Sequence, residues 1–148
     1  MAQKTLETVH VLGRRFDVVI TGPVPPGRFE ARAWEGRRLP WRRAYLRAPV
    51  RGRTIDDARE RLLDVLHNYV GLDQFRLAVE AVAGDLAPGA QVTVREDSKS
   101  VTVSLEGAFT LDAPLVVPRD DVLGPDADLA QLRASAHSHL HAHARPSP

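Results

Sequence analysis

Six residues, Gly22-Pro23-Val24-Pro25-Pro26-Gly27, separate two runs in which apolar side chains recur at every second position. That interruption limits the fold more than any other feature of the chain. Proline fixes φ and has no N–H to give a strand ladder, so the segment reads as a loop between strands. Before it, Phe16, Val18 and Ile20 oppose Asp17, Val19 and Thr21; after it, Phe29, Ala31 and Ala33 oppose Glu30, Arg32 and Trp34. A period of two is that of a half-buried strand, and two such runs around a short loop pair antiparallel. Upstream, Val9 and Val11 precede a turn expected at Gly13-Arg14-Arg15, and Tyr45-Leu46-Arg47-Ala48 is expected as a short third strand ended by Pro49.

At Thr54 the period changes. Ile55, Ala58, Leu62, Val65, Leu66 and Tyr69 recur at spacings of three and four, one apolar face of a helix over about 55–70. Thr54 is placed as N-cap, Asp57 completes a capping-box-like pair, and Asp56 with Asp57 suits the positive end of the helix dipole. Gly71 supplies a stop. Residues 74–83 fit period two through Phe75, Leu77, Val79, Ala81 and Ala83, and fit a helix nearly as well; strand is the expectation. Gln91 to Glu96 and Ser100 to Leu105 predict a hairpin turning at Asp97-Ser98-Lys99, with Leu115-Val116-Val117 at an edge.

The fold class expected is α+β, a mostly antiparallel sheet packed on one main helix at about 55–70. A single domain should span 1–125, with 126–148 a C-terminal helix or tail whose His-rich end is flexible. Phe16, Val18, Ile20, Leu62, Val65, Leu66, Val101 and Val103 should form its core.

Charge is unevenly spread along the sequence. Residues 28 to 53 hold nine arginines against only Glu30 and Glu35, a local charge of +7 in a chain of net +1. Phe29, Trp34, Trp41 and Tyr45 are interleaved with them. Guanidinium groups fork onto phosphate or carboxylate, and aromatic rings stack on bases or fill pockets on a protein partner. Trp34, Arg37, Arg38, Trp41, Arg42, Arg43, Tyr45 and Arg47 are therefore the expected binding residues, for a protein partner or for nucleic acid. A solvated face with rings packed on the sheet would use the same residues.

No cysteine is present, and no nucleophile elbow, phosphate-binding glycine loop or HExxH helix occurs. In the first strand pair only Asp17 and Glu30 could serve as carboxylates, too few for two-metal hydrolysis. The expectation is a non-enzymatic protein without cofactor or metal. His137, His139, His141 and His143 alternate, which suits incidental Ni or Cu affinity better than a closed site; on a helix only His137 with His141 and His139 with His143 would share a face. Lacking an apolar run of spanning length, the chain is expected in the cytoplasm with no membrane partner, as a homo-oligomer.

The passage Val50-Arg51-Gly52-Arg53-Thr54-Ile55-Asp56-Asp57-Ala58-Arg59, after two strands and a short third, resembles HicB-like antitoxins over roughly residues 16–71. Gly52, Thr54, Asp56, Asp57 and Ala58 match the glycine, threonine, acidic pair and alanine that open the family's helix. The resemblance implies a partial RNase H-like β-β-β-α-β fold without RNase H activity, in a protein that neutralises a small RNA-cleaving toxin and often binds its own operator. The segment Gly36 to Arg47 and the hairpin Gln91 to Leu105 lie outside that core. Such toxins are generally basic, so one would meet the acidic remainder of this chain, for example at Asp56 and Asp57. A nucleic-acid-binding module and a structural homo-oligomer are the competing readings.

Overall fold

The computed structural model describes residues 2–124 and 126–148 and has an α+β fold with antiparallel sheets. It divides into two compact units, 1–70 and 71–148, a boundary that does not coincide with the expected division at 125.

In the first unit, β1 (Gln3–Val11), β2 (Arg14–Val24), β3 (Arg28–Glu35) and β4 (Val50–Gly52) form one sheet in the order β1-β2-β3-β4, antiparallel throughout. The first turn is tighter than expected. Val11 pairs with Arg14, so Leu12 and Gly13 alone make the reversal, at φ of 49° and 80°, while Arg14 and Arg15 already belong to β2. Positive φ at both central residues is what a type I′ two-residue hairpin turn requires, and Gly13 supplies one of them without steric cost.

β2 also runs further than its prolines suggested, to Val24, with its register shifting between Thr21 and Val24. The irregularity lets Pro23 sit in the strand without breaking the ladder on either side. The third strand is misplaced in the sequence reading. Tyr45–Ala48 is irregular, and the strand lies beyond Pro49, where Phe29, Glu30 and Ala31 pair with Gly52, Arg51 and Val50.

Alternation puts Phe16, Val18, Ile20, Ala31 and Ala33 on the inner face, against Ala58, Leu62, Leu66 and Val70 of helix α1 (Ile55–Leu86). The helix opens as expected: the Asp57 N–H donates to Thr54 Oγ1 at 3.0 Å. The Asp57 carboxylate reaches back to the Arg53 N–H at 2.8 Å, one residue before the cap. It does not stop at Gly71. The helix is 32 residues long in all and runs on to Leu86, so 74–83 is helical where a strand was expected. Phe75, Val79, Val82 and Ala83 are buried at helical spacing while Leu77 and Ala81 are exposed, which settles the period. Val65 is only half-buried, against its expected place in the core, and Tyr69, expected on the helix's apolar face, is exposed.

In the second unit, β5 (Ala90–Glu96), β6 (Ser100–Gly107) and β8 (Leu115–Pro118) form a sheet in the order β5-β6-β8. The hairpin turns where expected, with Asp97 Oδ1 accepting the N–H groups of Lys99 at 2.7 Å and Ser100 at 2.8 Å. Val101 and Val103 are buried, in this unit's own core with Phe75, Val79, Leu115 and Val117 rather than with Phe16. Helices α2 (Arg119–Leu123) and α3 (Leu129–His143) follow, α3 capped by Asp128, whose side chain accepts the Gln131 N–H at 3.2 Å.

The His-rich end is ordered. Leu132, Ala136 and Leu140 are buried on α3, and Ala144–Pro146 forms β9 on β7 (Phe109–Leu111) instead of fraying. No helix of the described residues is long and apolar enough to cross a membrane.

Candidate partner-binding surface

The arginine–aromatic stretch leaves the first sheet at Glu35 and returns at Val50, forming a long loop between β3 and β4. Gly36 begins it by donating its N–H to the Arg15 carbonyl at 2.8 Å. Asp17, on the outer face of β2, holds the next step: its Oδ2 accepts the Arg38 N–H at 2.9 Å. That backbone bond is the main reason the Asp17 carboxyl sits below its ordinary value; partial burial opposes it, and Arg15 adds to it.

Trp34, on the outer face beside Asp17 in the β2–β3 register, donates its indole N–H to the Arg42 carbonyl at 3.2 Å. The Arg38 guanidinium lies 5.1 Å from the Trp34 ring, a cation–π contact. Arg42 is turned inward at its head, giving Nη1 to the Glu35 carbonyl at 2.9 Å. Tyr45 closes the loop. Its N–H donates to the Ala33 carbonyl at 2.7 Å, and its ring meets Phe16 edge to face, with centroids 5.1 Å apart.

The eight expected binding residues therefore divide by role. Trp34, Arg38, Arg42 and Tyr45 build the loop. Trp41 is the most exposed large apolar side chain, at 78 %, and Arg37, Arg43 and Arg47 are exposed with no ion pair among the described residues. The two acids of the basic stretch are already engaged, Glu30 with Arg32 at 3.2 Å and Arg51 at 3.5 Å, Glu35 with Arg14 at 2.7 Å.

Sequence reasoning missed two participants. Asp17 anchors the loop, and the signal available was a carboxylate facing outward from a strand whose neighbours are apolar. Tyr69, placed on the helix's apolar face by its spacing, is 56 % exposed and lines a groove of about 500 Å³ with Tyr45, Leu46, Arg47, Ala48, Val50 and Val65. The groove runs directly from the loop's last arginine.

The acidic pair proposed as a toxin contact is occupied locally. Asp57 holds the Arg53 N–H and Arg61, and Asp56 pairs with Arg59, which also reaches Glu7 at 2.6 Å. On α3 the histidines pair as a helix dictates, His137 with His141 at 6.4 Å and His139 with His143 at 4.4 Å between ring centroids. One nitrogen of each of the closer pair is engaged, His139 Nε2 with the Ala113 carbonyl at 2.8 Å and His143 Nδ1 with Asp112 at 2.6 Å. Among the described residues no three His, Cys, Asp or Glu side chains converge to hold a metal ion. Comparison of the chain with protein-family models, with curated proteins and with solved structures found no match.

Proposed function

We propose that this chain is a non-enzymatic binding protein, acting through protein–protein contact in the manner of a HicB-like antitoxin, with the β3–β4 loop as its contact surface. The observation that carries this reading is the division of labour within the loop. Trp34 of β3 and Arg38, Arg42 and Tyr45 of the loop are spent on holding its shape, and they leave Trp41 projecting from a braced support with three exposed guanidiniums along the same loop. A rigid aromatic anchor with arginines around it is the composition of an interface hot spot. Bracing lowers the ordering cost of binding.

The arginines favour an acidic patch on the partner, and the groove beside Tyr69 accepts an apolar side chain next to it. The antitoxin reading narrows the partner to a small toxin encoded beside this chain; because Asp56 and Asp57 are taken up locally, a toxin that is basic overall would have to bring an acidic patch of its own to the loop. Titration calorimetry with the product of a short neighbouring reading frame tests it. A complex weakened at least about tenfold by Trp41→Ala is the expected result, given the usual cost of losing a hot-spot tryptophan. A complex indifferent to Trp41, Arg43 and Arg47 together would place the contact elsewhere.

Nucleic-acid binding is the second reading, favoured by the three guanidiniums along the loop that make no ion pair among the described residues.

A further inference from the structure

The first sheet has one long open edge. β1 spans Gln3–Val11, nine residues, and pairs only with β2. Its outward backbone groups have no backbone partner among the described residues. Sheet edges are ordinarily blunted by proline, a bulge, charged side chains, a very short strand or a covering segment; of the charges on β1, Lys4 lies next to its start and Glu7 is already paired with Arg59. β1 contains no proline, and its register with β2 is unbroken from Gln3 to Val11. At its middle stands Leu6, 64 % exposed, on the outer face beside Val19. The opposite edge, β4, has three residues, and its Gly52 is closed against the start of α1.

We propose that β1 pairs antiparallel with β1 of a second copy of this chain, about a two-fold axis passing beside Leu6. The inference does not depend on the loop's function. A two-fold axis normal to the sheet joins residues of equal parity, so each inner face continues the partner's inner face and α1 lies on the same side in both copies. Centred on Leu6, the register sets Leu6 against the partner's Leu6, Lys4 against the partner's Thr8, Thr5 against the partner's Glu7, and Gln3 against the partner's Val9. No like charges meet, and the exposed leucine is covered by its own copy next to Val19.

Neighbouring registers are worse. Centring on Glu7 opposes two carboxylates, centring on Thr5 leaves Leu6 against the partner's Lys4, and centring on Thr8 sets Glu7 against the partner's Val9. Of the edges of the β5-β6-β8 sheet, β5 has no exposed large apolar side chain, with Val92 and Val94 half-buried, and β8, where Val116 is exposed, is only four residues long and ends in Pro118. Neither combines the length and the exposed apolar side chain that select a self-pairing register on β1.

The absence of cysteine makes the test clean. Residues directly opposed across an antiparallel pair have Cα atoms about 4.5–5.5 Å apart, within disulfide reach. Leu6→Cys should therefore give a disulfide-linked dimer under mild oxidation, while Thr93→Cys on β5 forms no disulfide cross-link. Light scattering should give wild type twice the 16.3 kDa chain mass. Leu6→Lys and Leu6→Glu, each with an unchanged circular dichroism spectrum, should each raise the dimer dissociation constant at least about tenfold, and mixing the two should restore a dimer. A wild-type chain of single mass at high micromolar concentration overturns the proposal. So does cross-linking of Leu6→Cys no faster than of Thr93→Cys, an outcome that needs no charged variant to fold.

Discussion

At the scale of single residues, the passage that carries the family resemblance has a physical explanation of its own. A Cβ built on Gly52 would stand 2.6 Å from Ala58 Cα, so strand and helix start touch backbone to backbone, and only a glycine facing a small residue permits it. Thr54 and Asp57 then satisfy N–H groups that the first turn leaves without partners. Replacing Thr54 by Ala should cost about 1 kcal/mol, read as a lower urea midpoint at unchanged slope. Asp57 adds a pH dependence. Its carboxyl lies below the ordinary 3.8, chiefly because the Arg53 N–H bonds the charged form; slight burial opposes this and Arg61 reinforces it. The folded-state value is the lower one, so the stabilisation is complete above 3.8 and drains away as the pH falls through the folded-state value. Asp57→Asn should flatten that part of the acid limb in a stability-versus-pH series while leaving its alkaline side unchanged.

At the scale of elements, the sequence was legible wherever one face of an element is buried and the other wet. β2, β3 and the β5–β6 hairpin follow from alternation, and the start of α1 follows from its cap. Two misreadings share a different cause. Residues 74–83 satisfy both periods because Ala78, Ala81 and Ala83 fit either template, and Gly71 looked like a terminator although it is buried inside the helix. Tyr69 sits at core spacing yet points to solvent, since a local pattern does not reveal where the neighbouring surface ends. Phe75 and Leu77 distinguish the two periods by experiment. A strand would place them on one face, whereas in α1 Phe75 is 1 % exposed and Leu77 52 %. Phe75→Ala should cost about 3–5 kcal/mol, and Leu77→Ala should stay within about 0.5 kcal/mol, by chemical denaturation. The binding surface was legible in composition and only partly in role: alternation puts Trp34 in a strand and Trp41 after Pro40 in an irregular segment, but does not say that the first braces and the second projects.

At the scale of the whole molecule, charge is the property that any partner meets first. The basic stretch carries +7 while the rest of the chain carries −6, so the molecule is polar despite its net charge of +1. If nucleic acid is the ligand, its phosphates release counterions on binding and affinity falls steeply with salt. Arg43→Glu with Arg47→Glu should then lower both the affinity for a single-stranded oligonucleotide and the slope of log affinity against log salt. Trp41→Ala should weaken binding with the slope nearly intact, because stacking releases no counterions. Fluorescence anisotropy at two salt concentrations separates these outcomes, and an absence of binding at micromolar protein in low salt removes nucleic acid from consideration.

The boundary between the two compact units falls inside α1, between Val70 and Gly71, where most chains place a linker. A gene cut at that point would sever a helix. The upstream fragment would end in carbonyls, and the downstream fragment begin in amides, that had closed each other's rings across the cut. Deletion mapping of this chain should therefore keep Ile55–Leu86 whole, and an insertion or tag junction belongs in a β-hairpin turn rather than at the compositional seams that the sequence advertises.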